Sequence, residues 1–255
     1  MYKIKKIIDE SDRVKTIVLD GYFKFKPGQF AMVWIPSVDE KPLGLLKTDG
    51  CISFGVLKVG KFTEKMHNLK EGDYIGVRGP YGTSFELVGD NILTVSGGIG
   101  TVPILSAVEE YSKYLSITSI IGFQCEEDII YRERFEKCGE TYICTDDGSC
   151  GYKGFPTELM EKIIKDNRGI FDLIITCGPE IMMKKVVEIG KKYNIPVQIT
   201  MERYMKCGIG VCGQCAVDDG GLCICKDGPV FWSDKLKYIS EFGKYKRDGS
   251  GKIIK

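Results

Sequence analysis

The sequence predicts three consecutive units: a β-barrel, an α/β domain built on a parallel sheet, and a small C-terminal cysteine-loop domain. Three observations carry that prediction. Residues 1 to about 88 hold many short strand-like runs separated by Gly/Pro turns, the pattern of a closed barrel. From about residue 90 apolar strand runs alternate with helical patterns, which is how βαβ units read. From residue 201 glycine and cysteine dominate. The expected boundaries are therefore 1–89, 90–200 and 201–255.

The elements follow in order. Val14 to Leu19 is a strand run, Pro27-Gly28 a turn, and Gln29 to Ile35 a second strand. Ile52 to Val59 alternates apolar with small or polar residues, as a half-buried strand does. Thr63 to Leu69 suits a short helix with Thr63 as N-cap, Lys70 to Asp73 a turn, and Tyr74 to Val77 a strand. In the second unit, strands are expected at Asn91 to Ser96, Ile117 to Phe123, Thr141 to Thr145, Phe171 to Cys177 and Pro196 to Met201. Helices are expected at Ile104 to Tyr114, Tyr131 to Cys138, Thr157 to Asp166 and Pro179 to Tyr193. Continuous apolar runs are what strands buried on both faces require. The basic, Gly/Ser-containing end from Lys244 to Lys255 reads as a loosely held extension.

The totals bound the function. Hydrophobic residues are 43% and charged residues 28% of the 255, an ordinary globular profile. A net charge of +1, with lysine well ahead of arginine, gives no reason to expect nucleic acid or an anionic membrane as partner. The apolar stretch from Ile92 to Val108 is interrupted by glycines, a proline and hydroxyls, so it reads as strand–loop–helix rather than a membrane span. No apolar run follows the basic start, so no secretory signal is expected. Eleven cysteines in that setting point to a reducing compartment, the cytoplasm, and to metal or redox chemistry rather than disulfides.

The densest signal is Met205 to Phe231, MKCGIGVCGQCAVDDGGLCICKDGPVF. Cys207, Cys212 and Cys215 are spaced C-x4-C-x2-C, the plant-type [2Fe–2S] spacing, which needs a fourth cysteine further on. Gly208, Gly210 and Gly213 let such a loop wind tightly around a cluster. Cys223 and Cys225 are both available as the fourth ligand, and spacing does not choose between them. A four-cysteine zinc site is the alternative metal reading.

Three glycine-bearing loops fall at carboxyl ends of expected parallel strands, where open α/β folds bind nucleotides. They are Gly97, Gly98, Ile99, Gly100 and Thr101; Asp146, Asp147, Gly148 and Ser149; and Cys177, Gly178 and Pro179. The first places backbone N–H groups and a helix start against a phosphate. In the barrel, Lys41, Pro42, Leu43 and Gly44 set a lysine beside a proline-fixed turn, and Gly60 to Thr63 offers a second anion-facing turn. Read alone, both are turns with solvated lysines. His67 is the only histidine, so a histidine-based triad is not expected.

Taken together, the barrel, GGIGTVPI, TDDGS, CGPEIMM, MERYMKCGIGVCGQC and CKDGPVF resemble the electron transfer subunits of NAD-linked dihydroorotate dehydrogenase, within the ferredoxin–NADP reductase superfamily. The resemblance covers the whole chain. It implies an FAD-binding barrel, an NAD-binding α/β domain and a C-terminal [2Fe–2S] domain. It implies that Lys41 to Gly44, Gly55, Val56, Leu57, Phe62 and Thr63 hold FAD. It also implies that the three glycine loops receive NAD, that Cys177 lies near the nicotinamide, and that Cys225 rather than Cys223 completes the ligand set. The usual Arg-x-Tyr-Ser is replaced by Lys-Pro-Leu-Gly, which keeps the charge but loses the bidentate fork and a hydroxyl.

The implied role is electron transfer in pyrimidine biosynthesis. Electrons leave dihydroorotate in a separate FMN-bearing catalytic subunit, enter through the cluster, pass to FAD and reach NAD+, in an assembly of two copies of each subunit. Acidic Asp146 and Asp147 favour NAD over NADP. The rival readings are the NAD(P)-linked subunit of a hydrogenase or sulfide dehydrogenase, and a non-catalytic zinc-stabilised interaction module.

Overall fold

The seven strands of the first unit form one antiparallel sheet whose two outermost strands are neighbours in the chain. The structure, a computed structural model, describes residues 1–254. The strands are β1 (Tyr2–Ser11), β2 (Val14–Leu19), β3 (Phe30–Ile35), β4 (Asp39–Gly44), β5 (Leu46–Thr48), β6 (Cys51–Leu57) and β7 (Tyr74–Tyr81). Their order in the sheet is β4-β3-β7-β1-β2-β6-β5. Only the buried Leu45 separates β4 from β5, so the chain itself ties the two edges together and the sheet curls into a barrel. Ile17, Leu19, Val33, Phe54, Val56 and Ile75 fill it.

Helix α1 (Lys61–His67) plugs one end of the barrel with Phe62 and Met66. Its N-cap is Gly60, not Thr63. The Thr63 hydroxyl instead accepts N–H bonds from Val59 at 2.9 Å and Gly60 at 3.0 Å, holding the turn before the helix. His67 is buried, with Nε2 2.8 Å from the Val56 carbonyl, and is structural. Three strands, β1, β4 and the three-residue β5, escape a reading by pattern. β1 is rich in lysine and carries register shifts that break its alternation. β4 contains Pro42 and Gly44, which read as a turn, yet it pairs with β3 along its whole length. Proline is tolerated there because β4 ends the sheet and one edge needs no ladder donors.

The second unit is doubly wound. Its strands are β8 (Asn91–Gly97), β9 (Ser116–Phe123), β10 (Glu140–Thr145), β11 (Tyr152–Lys153), β12 (Leu173–Cys177) and β13 (Val197–Thr200). With β14 (Val230–Trp232) added as an antiparallel edge, the order is β11-β10-β9-β8-β12-β13-β14. Helices α2 (Thr101–Tyr111) and α3 (Arg132–Glu136) cover one face; α4 (Pro156–Asp166) and α5 (Glu180–Tyr193) cover the other. Successive strand residues alternate between the two cores, as with Ile174 and Ile175. Strand order reverses between β8 and β12, which opens a crevice at their carboxyl ends.

The last segment packs onto the α5 face through Met205, Val217, Ile224, Phe231 and Phe242. Helix α6 (Ile224–Asp227) lies within it. The expectation of a loose tail is not met. β15 (Lys246–Arg247) and β16 (Ile253–Ile254) pair as a hairpin. Tyr245 Oη donates to Asp218 at 2.6 Å, and Arg247 bonds the same carboxylate at 2.8 Å. Behind it, Arg203 is buried between Glu180 of α5 and Glu241. Glu180 also accepts an N–H from Gly243 at 2.7 Å, and Glu241 one from Asp218 at 3.2 Å. This ionic knot fastens the C-terminal segment to the start of α5.

Candidate functional site

In the cysteine loop, three glycines with positive φ (Gly208 75°, Gly210 78°, Gly213 70°) wind the backbone so that its N–H groups turn towards sulfur. Ile209, Val211 and Cys212 donate to Cys207 Sγ at 3.5, 3.4 and 3.5 Å. Burial pushes the Cys207 thiol up, but these three N–H groups outweigh it and bring it down to about 6. Gly210 donates to Cys225 Sγ at 3.1 Å, and Cys225 N–H to Cys215 Sγ at 3.4 Å. Burial raises the Cys225 thiol to about 12, aided by its contact with Cys215. Cys223 also lies against Cys215, and its thiol is raised by burial. Its own N–H is committed to Asp227 at 2.8 Å.

Among the described residues, no group of three or more His, Cys, Asp or Glu side chains is placed to hold a single metal ion. A [2Fe–2S] cluster makes a different demand: four thiolates shared between two irons, with N–H donors to sulfur. The loop sets Cys212 beside Cys207 and Cys225 beside Cys215, and lines the sulfurs with N–H donors, so the donor set fits that group.

The nucleotide loops converge as expected. A cleft of about 740 Å³ opens at the carboxyl ends of the parallel strands and is lined by Gly97, Gly98, Ile99, Asp146 and Pro179. Gly98 has φ 53° and nothing within 4 Å of an added Cβ, so its backbone faces open space where a nucleotide can approach. Leu57 lines the cleft from the barrel side, and so do Arg13 and Val14. Arg13, Lys184 and Lys185 place three cations on its wall. Sequence does not single them out, because isolated surface lysines and arginines carry no pattern.

Other expected residues lie behind the lining. Thr101 is fully buried and donates to Ser96 Oγ at 3.3 Å. The Asp147 carboxyl accepts Ser149 N–H and Oγ–H at 2.9 and 2.7 Å, and the Ser149 hydroxyl holds it below its ordinary value. Asp147, Gly148 and Ser149 thus shape their loop, while Asp146 faces the cleft. Cys177 is buried, with Sγ 3.8 Å from the Thr200 carbonyl, and burial pushes its thiol well up. It lies beneath Gly178 and has no place among the cleft-lining residues.

Gly100 packs directly on this floor. An added Cβ would come within 2.6 Å of the Cys177 carbonyl carbon and of Gly178 N. Gly100→Val therefore forces two nucleotide loops apart. Overpacking costs about 1–3 kcal/mol of stability, and the displaced loops bind nucleotide more weakly. The expected result is a raised KM for NADH in dye reduction with the visible spectrum of the cysteine loop unchanged. An unchanged KM would refute the packing argument.

Strand β4 connects the two regions. At one end, Lys41 Nζ lies 4.7 Å from the centre of the Tyr204 ring, three residues before Cys207, and 2.5 Å from Asp39 Oδ2. At the other, Gly44 faces Val102 and Pro103 at the start of α2, 3.7 and 3.9 Å from an added Cβ. Helix α1 packs beside β4, and an added Cβ on Gly60 would meet nothing within 4 Å. A cation and an open turn on one barrel wall are what a flavin dinucleotide's diphosphate requires, so these residues fit FAD. Leu43 packs on the barrel core, and Pro42 pairs opposite Met32. Phe62 and Val56 are core residues. Gly55 is glycine because a Cβ would overlap Val102 Cγ2 at 2.5 Å and Tyr131 Oη at 2.7 Å, a domain contact.

A curled antiparallel barrel, a doubly wound nucleotide unit and a thiol loop docked against both define a ferredoxin–NADP reductase-like electron carrier. Residues 202–237 match the iron–sulfur cluster binding domain of dihydroorotate dehydrogenase B. A Methanocaldococcus jannaschii chain named as a probable dihydroorotate dehydrogenase B (NAD(+)) electron transfer subunit is 65% identical over 253 residues, 99% of this chain and 96% of that one. A Methanothermobacter thermautotrophicus chain of the same name is 41% identical over 259 residues, with 99% and 96% covered. The chain belongs to this family of electron transfer subunits. A solved structure described as an NADH-dependent reduced ferredoxin–NADP oxidoreductase, studied for flavin-based electron bifurcation, superposes with a TM-score of 0.82 at 27% identity, covering 95% of this chain and 94% of that one.

Proposed function

We propose that the chain carries electrons between an FMN-bearing, dihydroorotate-oxidising partner subunit and NAD+, using FAD and a [2Fe–2S] cluster, in pyrimidine biosynthesis. Family membership supports the role. The observation that carries the order of the path is the position of β4, in contact with the cysteine segment at Lys41 and with the nucleotide-side helix at Gly44. When bound, the flavin exchanges electrons singly with an iron–sulfur centre and in pairs with a nicotinamide.

The chain's own residues do the holding. Cys207, Cys212, Cys215 and Cys225 ligate the cluster, and the wound N–H groups stabilise the thiolates. Lys41 and the Gly60–Thr63 turn meet the flavin diphosphate, with Pro42, Leu43, Gly44 and Leu57 along its wall. Gly97 to Ile99, Asp146 and Pro179 bind NAD, with Arg13, Lys184 and Lys185 around the phosphates. Cys177 stays a neutral thiol supporting the floor beneath the nicotinamide. The partner docks over the cysteine loop, where Ile209 and Val211 stand out exposed at 53% and 78%. The assembly holds two copies of each subunit. Among the described residues no helix is long and apolar enough to cross a membrane; we place the complex in the cytoplasm.

The test is functional separation. Purified alone with its cofactors, the chain passes electrons from NADH to an artificial dye and shows no dihydroorotate turnover. Dihydroorotate turnover without a partner would overturn the proposal. The visible spectrum separates the rivals: flavin yellow with iron–sulfur brown-red, against a colourless zinc-stabilised module. Co-purification with nickel–iron subunits would favour the hydrogenase reading instead.

A further inference from the structure

We infer that Arg78 and Glu40, both on the barrel, set the reduction potential of the cysteine-loop cluster through the backbone at Cys207. The inference rests on the iron–sulfur reading above. Arg78, on β7, reaches out of the barrel wall to the cysteine loop. Nη1 donates to the Cys207 carbonyl at 2.5 Å and Nη2 to the Lys206 carbonyl at 3.0 Å. The other edge of the guanidinium is held by Glu40 on β4, with Nε to Oε1 at 2.6 Å and Nη2 to Oε2 at 2.8 Å. Nη1 also reaches Tyr81 Oη at 3.5 Å.

The contact has little room to shift. Tyr81 and Met32 press on Gly208, where an added Cβ would come within 3.3 Å of the ring and 2.9 Å of Met32 Cγ. The cation is therefore clamped against the peptide that carries the first thiolate. That thiolate is the one receiving three backbone N–H bonds. Arg78 is a positioning residue: it touches no sulfur but orients the loop that does.

Charge then decides the sign. An added electron on the cluster is stabilised by a nearby cation and opposed by a nearby carboxylate. Arg78 and Glu40 are a bidentate pair with about a third of each side chain exposed, so neither field is fully screened. Removing Arg78 leaves Glu40 unopposed and lowers the potential. Neutralising Glu40 leaves Arg78 unopposed and raises it. A purely structural tie predicts something else: both changes loosen the same loop and move the potential in one direction.

The experiment is EPR-monitored electrochemistry of the cluster in the full chain carrying its cofactors, comparing wild type with Arg78→Gln, Arg78→Lys and Glu40→Gln. Arg78→Gln is expected to shift the reduction equilibrium about tenfold towards the oxidised cluster, which is about 59 mV for a one-electron couple. Glu40→Gln is expected to shift it the other way. Arg78→Lys keeps the charge but loses the bidentate fork, so its shift is expected to be smaller than that of Arg78→Gln; a shift as large as that of Arg78→Gln would overturn the charge argument. Shifts of the same sign in Arg78→Gln and Glu40→Gln, or no shift in either, overturn the inference. If Arg78→Gln fails to retain iron, Glu40→Gln decides alone: an unchanged or lowered potential overturns it. A wild-type chain without an iron–sulfur EPR signal would instead refute the reading on which the inference rests.

Discussion

Cys225→Ser is expected to strip the iron–sulfur chromophore from the chain, while Cys223→Ser leaves it in place. The two cysteines are two residues apart and both lie near Cys215, so proximity alone does not separate them. Their engagement with the loop does. Cys225 Sγ receives the Gly210 N–H, and Cys225 N–H in turn reaches Cys215 Sγ. Cys223, the N-cap of α6, spends its N–H on Asp227 at the end of that helix. Changes around a metal's ligands typically cost roughly 10- to 100-fold in affinity, and loss of a ligand exceeds that. Iron content and visible absorbance per chain read the outcome. NADH-to-dye turnover should survive in both variants, because the nucleotide cleft is built from other elements. A bleached Cys223→Ser with an intact Cys225→Ser would reverse the ligand assignment.

Arg203→Met is expected to produce the largest loss of stability. Arg203 is buried, and it bonds Glu180 at the start of α5 and Glu241 in the C-terminal segment. Removing it leaves the buried Glu241 carboxylate without its cation and Glu180 with only the half-exposed Lys246, 3.7 Å away. Breaking a buried ion pair from one side costs about 3–5 kcal/mol. The loss should appear as a lowered thermal midpoint and as faster proteolysis after residue 200. Adding Glu180→Gln and Glu241→Gln removes the stranded charges and should recover much of the loss. A single variant as stable as wild type, or a triple variant no better than the single, would contradict this account of the knot.

The parts of the molecule legible in sequence are those set by neighbouring residues. The C-x4-C-x2-C spacing and its glycines announce a wound thiol loop, and the three glycine loops fall at strand ends fixed by βαβ alternation. What stayed hidden depends on residues far apart in the chain. Arg78 meets Cys207 across 129 positions and Glu40 across 38, and no window of sequence contains that contact. β4 was hidden because proline and glycine read as a turn, whereas an end strand tolerates both. Thr63 has the residue type of an N-cap, but the open Gly60 takes that position and Thr63 closes the turn from inside. The tail looked loose from composition, yet the Asp218 carboxylate gathers Tyr245 and Arg247 and folds it back.

In the proposed path, electrons from a partner subunit enter this chain through its cysteine loop. The most direct measurement is the EPR spectrum of the cluster after anaerobic addition of dihydroorotate. With the FMN-bearing partner subunit present, the signal of the reduced cluster should appear, and NAD+ should be reduced when added. With the chain alone, dihydroorotate should leave the cluster oxidised while NADH reduces it. A cluster reduced by dihydroorotate without the partner, or one that stays oxidised when dihydroorotate is added to the complex before NAD+, in a complex that goes on to reduce NAD+, would contradict entry of electrons through the cysteine loop.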